Sequence, residues 1–151
     1  MRRTALLTVF LAMIFFTGCQ ESNGNVYFVM FESAPNLFES LVYSNGVSVG
    51  EIVDAETAGN GVTRLAIVIN GDHKELMQDS TAFYASSGRL TYTALAGFGN
   101  PVAPGSKLMG FGSGLGLGWF KTKNIMTQTP RAAATRAQQL FESFEESGMG
   151  Q

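Results

Sequence analysis

Residues 41–53 read LVYSNGVSVGEIV and carry the clearest fold signal in the chain. The dipeptide Asn45-Gly46 separates two apolar segments, and in the second of them apolar and polar residues alternate. Type I′ hairpin turns favour Asn-Gly because both central residues adopt a positive φ. The stretch therefore predicts two antiparallel β-strands joined by a tight turn.

Segments of the same character, rich in β-branched and aromatic residues, recur along the chain at intervals of about ten residues. The predicted strands are 26–31, 41–43, 47–53, 62–69, 81–85, 90–95 and 107–109. Long helical patterns do not alternate with these strands, which disfavours a parallel βαβ sheet. Six or seven short strands predict an all-β protein, either a small sandwich or a barrel.

The composition excludes several classes of protein. Of the 151 residues, 45% are hydrophobic and 15% are charged, which is incompatible with a disordered chain or a coiled coil. A net charge of −2 lacks the basic surface that nucleic-acid binding requires. One Cys and one His exclude a disulfide framework and a Cys/His zinc site. Because His73 stands in a polar turn without a sign of a nucleophile, we expect no enzyme activity, no catalytic residue, no metal and no cofactor.

The N-terminus has the composition of a signal peptide. Two arginines precede an uncharged run, 4–16, that is too short to span a bilayer as a helix. The run leads into Gly18-Cys19, and small residues before a Cys resemble a bacterial lipobox. We expect 1–18 to be a lipoprotein signal peptide, Cys19 to be lipidated and 19–25 to be a lipidated tether. The alternative is an uncleaved N-terminal anchor with an incidental cysteine.

Residues 113–128 form a Gly-rich and aromatic connector. Glycine occupies every second position from Gly110 to Gly118, a pattern compatible with a flexible linker or with a strand that has one bare face. The aromatic pair Trp119-Phe120 is followed by two lysines. This pair either closes the barrel or lies at a bilayer interface.

The C-terminal segment predicts an amphipathic helix over 129–147. Thr129-Pro130 provides an N-cap residue and a proline at the first helical position. Leu140, Phe141 and Phe144 belong to one apolar stripe at helical spacing. The stripe either packs on the chain's own barrel or lines a channel formed between copies.

Two segments, 31–37 with the sequence FESAPNL and 45–52 with NGVSVGEI, resemble the opening of the MCE (mammalian cell entry) domain. The residues that match the family's signature turn are Gly46, Val47, Val49 and Gly50. The resemblance covers 26–112. It implies a small six- to seven-stranded MCE-type β-barrel, followed by the Gly-rich segment and a short C-terminal α-helix.

The resemblance also implies a function, because MCE domains are repeated units of bacterial lipid transporters such as the Mla phospholipid system. We expect a lipid-anchored component of an ABC-type transport system for phospholipid or another lipid. Its expected partners are further copies of itself in a homohexameric ring, together with ABC permease and ATPase subunits. The anchor is expected in the inner rather than the outer membrane, facing the periplasm. The alternative is a structural envelope lipoprotein whose barrel binds a protein partner and carries no lipid.

The pore loop that the resemblance implies lies in the sixth predicted strand and the turn before it. Its residues are Gly88, Arg89, Leu90, Thr91 and Tyr92. We expect Leu90 and Tyr92 to line the lipid path at the loop tip, and Arg89 to meet a phosphate headgroup. An apolar lining matters because water rejects an acyl chain at about 25 cal/mol per Å².

Overall fold

The computed structural model describes residues 24–95, 99–123 and 129–148. Within these ranges the chain forms a closed barrel of seven strands, followed by two helices. The strands are β1 (Asn25–Phe31), β2 (Leu41–Ser44), β3 (Val47–Thr57), β4 (Thr63–Ile69), β5 (Thr81–Ser86), β6 (Arg89–Ala94) and β7 (Lys107–Phe111). The helices are α1 (Gly114–Lys123) and α2 (Thr129–Gly148), and a 3-10 helix covers Gly71–Leu76. The prediction of a small all-β barrel with a C-terminal helix is confirmed.

The strand order around the barrel is β1-β4-β3-β2-β6-β5-β7. Strand β7 closes the barrel because it pairs in parallel with both β1 and β5. The remaining contacts are antiparallel, except for a short parallel pairing of β2 with β6. Closure satisfies the backbone hydrogen bonds that an open sheet would leave exposed at its edges.

The inside of the barrel is a packed core. Along β1 the side chains of Tyr27, Val29 and Phe31 point inward, while Met30 packs on the outside. This alternation follows from the period of two in an extended strand. Further interior side chains, all buried, are Val42, Val49, Leu65, Ile67, Ile69, Met77, Phe83, Leu90 and Leu108. Side chains therefore fill the barrel, as in other small barrels.

The residues that match the family's signature turn form the β2–β3 hairpin. Asn45 and Gly46 have φ values of 49° and 82°, the conformation that a type I′ turn requires. Val49 is buried in the core, whereas Val47 is exposed beside the turn. The Cα of Gly50 lies so close to the carbonyl oxygen of Val68 that a Cβ atom would collide with it. The second glycine of the signature thus allows β3 to approach β4.

Helix α2 packs against the outer wall of the barrel, on β7 and β1. Its buried stripe is Ala133, Ala137, Leu140 and Phe144, with Phe141 partly buried beside it. Of the two alternatives for this stripe, packing on the chain's own barrel describes Leu140 and Phe144, because both side chains are buried against the subunit's own β-strands. The apolar stripe of this amphipathic helix covers an apolar face of the sheet, as is usual for a surface helix.

Cations fix this helix to the barrel through aromatic rings. The guanidinium carbon of Arg64 lies 5.5 Å from the ring centroid of Phe28 and 5.0 Å from that of Phe144. The Nζ of Lys107 lies 4.2 Å from the ring centroid of Phe141. In such contacts the negative face of the aromatic ring attracts the cation, so Arg64 and Lys107 of the barrel bind the helix without a carboxylate partner on it.

The Gly-rich connector was expected to be a linker or a strand, but residues 114–123 form helix α1. Glycine disfavours a helix by about 1 kcal/mol per residue relative to alanine. Two features offset this cost: the hydroxyl oxygen of Ser113 accepts the Gly116 N–H at 3.2 Å as an N-cap, and Leu117 is buried against the barrel. The ring centroid of Phe120 lies 5.1 Å from that of Phe111, so only one member of the aromatic pair packs on the barrel.

The close approach at Gly50 generates a stability prediction. Gly50→Ala should lower the free energy of unfolding by about 1–3 kcal/mol, because the added methyl group must displace the β4 backbone. Denaturant unfolding measures the change. Gly118→Ala is the matched control: nothing lies within 4 Å of its Cβ position, so this helical substitution should not destabilise the protein. Equal effects at the two positions would contradict this account of Gly50.

Candidate functional site

The predicted pore-loop residues lie at the β5–β6 hairpin and along β6. Ser87 and Gly88 have φ values of 51° and 76° and form a two-residue turn in the left-handed region. Arg89 is exposed at the start of β6, while Thr91 and Tyr92 are half-buried farther along the strand. The ring of Tyr92 meets that of Phe83 edge-on, with centroids 6.3 Å apart.

The expectation that Leu90 lines a path at the loop tip is corrected. Its side chain is 0% exposed and belongs to the interior core. Residues two apart along a strand lie on the same face of the sheet. Leu90 and Tyr92 therefore both point toward the inside of the barrel. A surface path along the subunit cannot use Leu90.

An exposed phenylalanine that the sequence did not identify lies at the same turn. Phe38 is 77% exposed, and its ring covers Gly88 so closely that any Cβ at that position would collide with the ring. Its backbone N–H donates to the Gly88 carbonyl oxygen at 2.8 Å. Phe38 stands in a segment of turn residues between β1 and β2, so no strand or helix periodicity could identify it. Phe38 is identified as a candidate contact residue by its exposure in the structure and not by its sequence context.

A charged cluster joins the segment before β2 to the β5–β6 hairpin. The Nε of Arg89 donates to the Oε1 of Glu39 at 2.9 Å, and the Tyr43 hydroxyl donates to the Oε2 of the same carboxylate at 2.6 Å. The guanidinium of Arg89 also lies 5.0 Å from the ring centroid of Tyr43. These contacts, together with the Phe38 backbone bond, fix Phe38 beside the hairpin tip.

The cluster changes the proton affinities of its members. The hydrogen bond from Tyr43, and then that from Arg89, lower the pKa of Glu39. The carboxylate in turn raises the pKa of the Tyr43 hydroxyl, because the neutral phenol donates the hydrogen bond. Separately, burial raises the pKa of Tyr92.

An apolar cavity of about 390 Å³ extends from Phe38 to the C-terminal half of β3. Its apolar lining includes Pro35, Leu37, Phe38, Ile52 and Ala55. Small-molecule sites are typically concave, mostly apolar and rimmed by a few polar groups. The hairpin tip, Phe38 and this cavity together form the candidate site, and Glu39 and Arg89 supply its charged groups.

The remaining sequence candidates lie away from this site or outside the described residues. Cys19 and the signal-peptide segment 1–18 belong to the part of the chain that is not described. His73 lies in the 3-10 helix, where its backbone N–H donates to the Asn70 carbonyl oxygen. Within 24–95, 99–123 and 129–148, no three His, Cys, Asp or Glu side chains are grouped closely enough to hold a metal ion. In the same ranges, neither helix combines the length and the apolar composition needed to cross a bilayer.

Comparison with known proteins finds similarity among solved structures. No protein-family model matches the chain, and no curated protein matches it. Among solved structures, a chain from the Acinetobacter MlaFEDB complex in an ATP-bound conformation is similar over 72% of this chain and 84% of its own length. The two are 13% identical, and the TM-score is 0.46. A similarity of this size does not place the chain in a family.

The charged cluster generates a titration prediction. Glu39→Gln should lower the pKa of Tyr43 toward that of an ordinary tyrosine, because the anionic acceptor of its hydroxyl is removed. In the wild type with Glu39 ionised, the stabilisation from this hydrogen bond is complete below the ordinary tyrosine pKa and is lost as pH rises through the raised pKa of the folded protein. It is also lost at acid pH, as the Glu39 carboxylate protonates. Ultraviolet absorbance follows the ionisation, and Tyr43→Phe identifies the step that belongs to Tyr43. An identical titration curve for Glu39→Gln would refute the proposed coupling.

Proposed function

We propose that this protein is a lipid-anchored MCE-domain component of an ABC-type lipid transport system. The proposal is supported by the sequence resemblance at 31–37 and 45–52. It is also supported by the roles of those residues in the barrel, since Gly46 forms the hairpin turn and Gly50 permits close strand approach. In this function several copies form a ring, and a lipid crosses the periplasm shielded from water.

The observation that carries the proposal is the contrast between the inside of the barrel and its tip. Side chains such as Tyr27, Phe31 and Phe83 fill the interior, so a lipid has no route through a single subunit. A large apolar side chain, Phe38, is nevertheless exposed at the hairpin tip next to an apolar cavity. A shielded path would therefore lie between subunits, with these tips turned toward a common axis.

Within this proposal, Phe38 takes the role that the sequence assigned to Leu90. Its ring would contact acyl chains, for which burial of a phenylalanine side chain contributes about 1.5–3 kcal/mol. Arg89 presents a planar guanidinium beside it, of which Nε binds Glu39. The other N–H groups of that guanidinium have the geometry for a phosphate oxygen.

The anchor and the partners follow from the same proposal. Cys19 would carry the acyl chains, and the tether 19–25 would hold the barrel within about 25 Å of the bilayer. Hydrolysis of ATP by the partner ATPase, acting with a permease in the inner membrane, would supply the energy. This chain would contribute binding and shielding and no covalent chemistry.

A second candidate, a structural envelope lipoprotein, is favoured by one observation. The apolar stripe of α2 is buried on the subunit's own barrel, so that stripe is not available for assembly around an axis. In that function the barrel would bind a protein partner, and Phe38 would contact that partner and not a lipid.

Native mass spectrometry of the detergent-solubilised full chain separates the two candidates. Lipid transport predicts a ring that retains phospholipid, and Phe38→Ser should lower the retained phospholipid about tenfold or more. Folding should be preserved because the ring of Phe38 is largely exposed. Val47→Ser is the matched control, since Val47 is an exposed apolar residue at the β2–β3 turn.

A lipid-free monomer would contradict the transport function and favour the structural one. Equal lipid retention in wild type and Phe38→Ser would remove Phe38 from the proposed path. A loss of lipid in Val47→Ser as large as in Phe38→Ser would show that the effect is not specific to the hairpin tip.

A further inference from the structure

Helix α1 is apolar on two opposite faces. Leu117 is buried against the barrel and Phe120 packs beside it, whereas Leu115 is 87% exposed and Trp119 is 63% exposed. A globular surface helix normally turns one apolar stripe inward and polar residues outward. The outward face of α1, formed by Leu115, Trp119 and Lys123 and spaced four residues apart, therefore has the composition of a contact surface.

The charge of α1 has a single sign. The helix contains Lys121 and Lys123 and no acidic residue. The Nζ of Lys123 lies 5.3 Å from the ring centroid of Trp119, so the exposed indole and this cation form one unit. A complementary surface should combine apolar side chains with carboxylates.

Such a surface is present on the outer wall of β2 and β3, which we call the β2–β3 wall. Leu41 is 39% exposed and pairs directly with Glu51 across the two strands. A register irregularity between Ile52 and Asp54 leaves Val53, 50% exposed, and Asp54 both accessible. Neither strand contains a lysine or an arginine.

The two surfaces lie on different sides of the barrel. Helix α1 contacts β5 and β7. In the barrel order, β6 separates β5 from β2 in one direction, and β1 and β4 separate β7 from β3 in the other. The two surfaces of one subunit can therefore each meet a different neighbour, as head-to-tail assembly requires.

We propose that the α1 face of one copy docks on the β2–β3 wall of the next copy. Leu115 and Trp119 contact Leu41 and Val53, and Lys123 faces Asp54. The inference rests on the proposed function to the extent that a ring is required there, and it names the residues through which that ring closes. It leaves Phe38 and the hairpin tip outside the interface and available to the lipid path.

Charge exchange tests this interface in the full-length protein. Lys123→Glu should weaken assembly about tenfold, measured as the dissociation constant of the oligomer by native mass spectrometry and analytical ultracentrifugation. Asp54→Lys should have a similar effect. The double variant Lys123→Glu/Asp54→Lys restores the opposite charges and should recover most of the assembly. Glu142→Lys on α2 is the matched control, as an exposed charge reversal away from both surfaces.

Three outcomes would overturn the inference. They are an unchanged oligomer in Lys123→Glu, a failure of the double variant to assemble, and a blue shift of Trp119 fluorescence on anionic vesicles but not on oligomerisation. The last result would assign the α1 face to a membrane surface. The proposed function fails separately, when the wild-type oligomer retains no phospholipid even though the charge exchange behaves as expected.

Discussion

The alternation of inward and outward side chains along the barrel strands governs both apolar layers of the molecule. Tyr27, Val29 and Phe31 of β1 belong to the interior, and the intervening Met30 packs under helix α2. Because β1 has apolar side chains on both faces, closure of the barrel alone cannot shield its outer face from water. Helix α2 is thus required by the barrel wall, and its apolar stripe is used within the subunit.

This two-layer arrangement decides where function can reside. The interior is packed, and one side of the wall is covered by α2. Among the described residues, exposed large apolar side chains include Phe38 at the hairpin tip, Leu115 and Trp119 on α1, and Leu41 and Val53 on the β2–β3 wall, besides Val26 and Val47. Exposed apolar groups of this kind are candidates for contact with a partner or a ligand. An assembly of copies would give three of them a role: lipid contact for Phe38, and mutual docking for α1 and the β2–β3 wall.

The sequence predicted the barrel well because each strand combined β-branched or aromatic residues with a recognisable turn, of which Asn45-Gly46 is the clearest. It failed at α1, where the glycine pattern concealed the capping hydroxyl of Ser113 and the burial of Leu117, both of which depend on the folded barrel. The family resemblance assigned the lipid path to Leu90, because neither the resemblance nor the sequence pattern reveals that this strand residue is buried. Phe38 is held at this turn by tertiary contacts with Gly88 that no local sequence pattern encodes.

The turn between β5 and β6 has only two residues, both in the left-handed region. A connection this short has no additional residues that would allow it to move aside. The Glu39–Arg89 ion pair also links it to the segment before β2. If lipid moves past this turn, movement of a flexible loop cannot widen the path between the subunits. Widening would require whole subunits to tilt against one another. The rate of transport would then depend on the stiffness of the interfaces between neighbouring subunits.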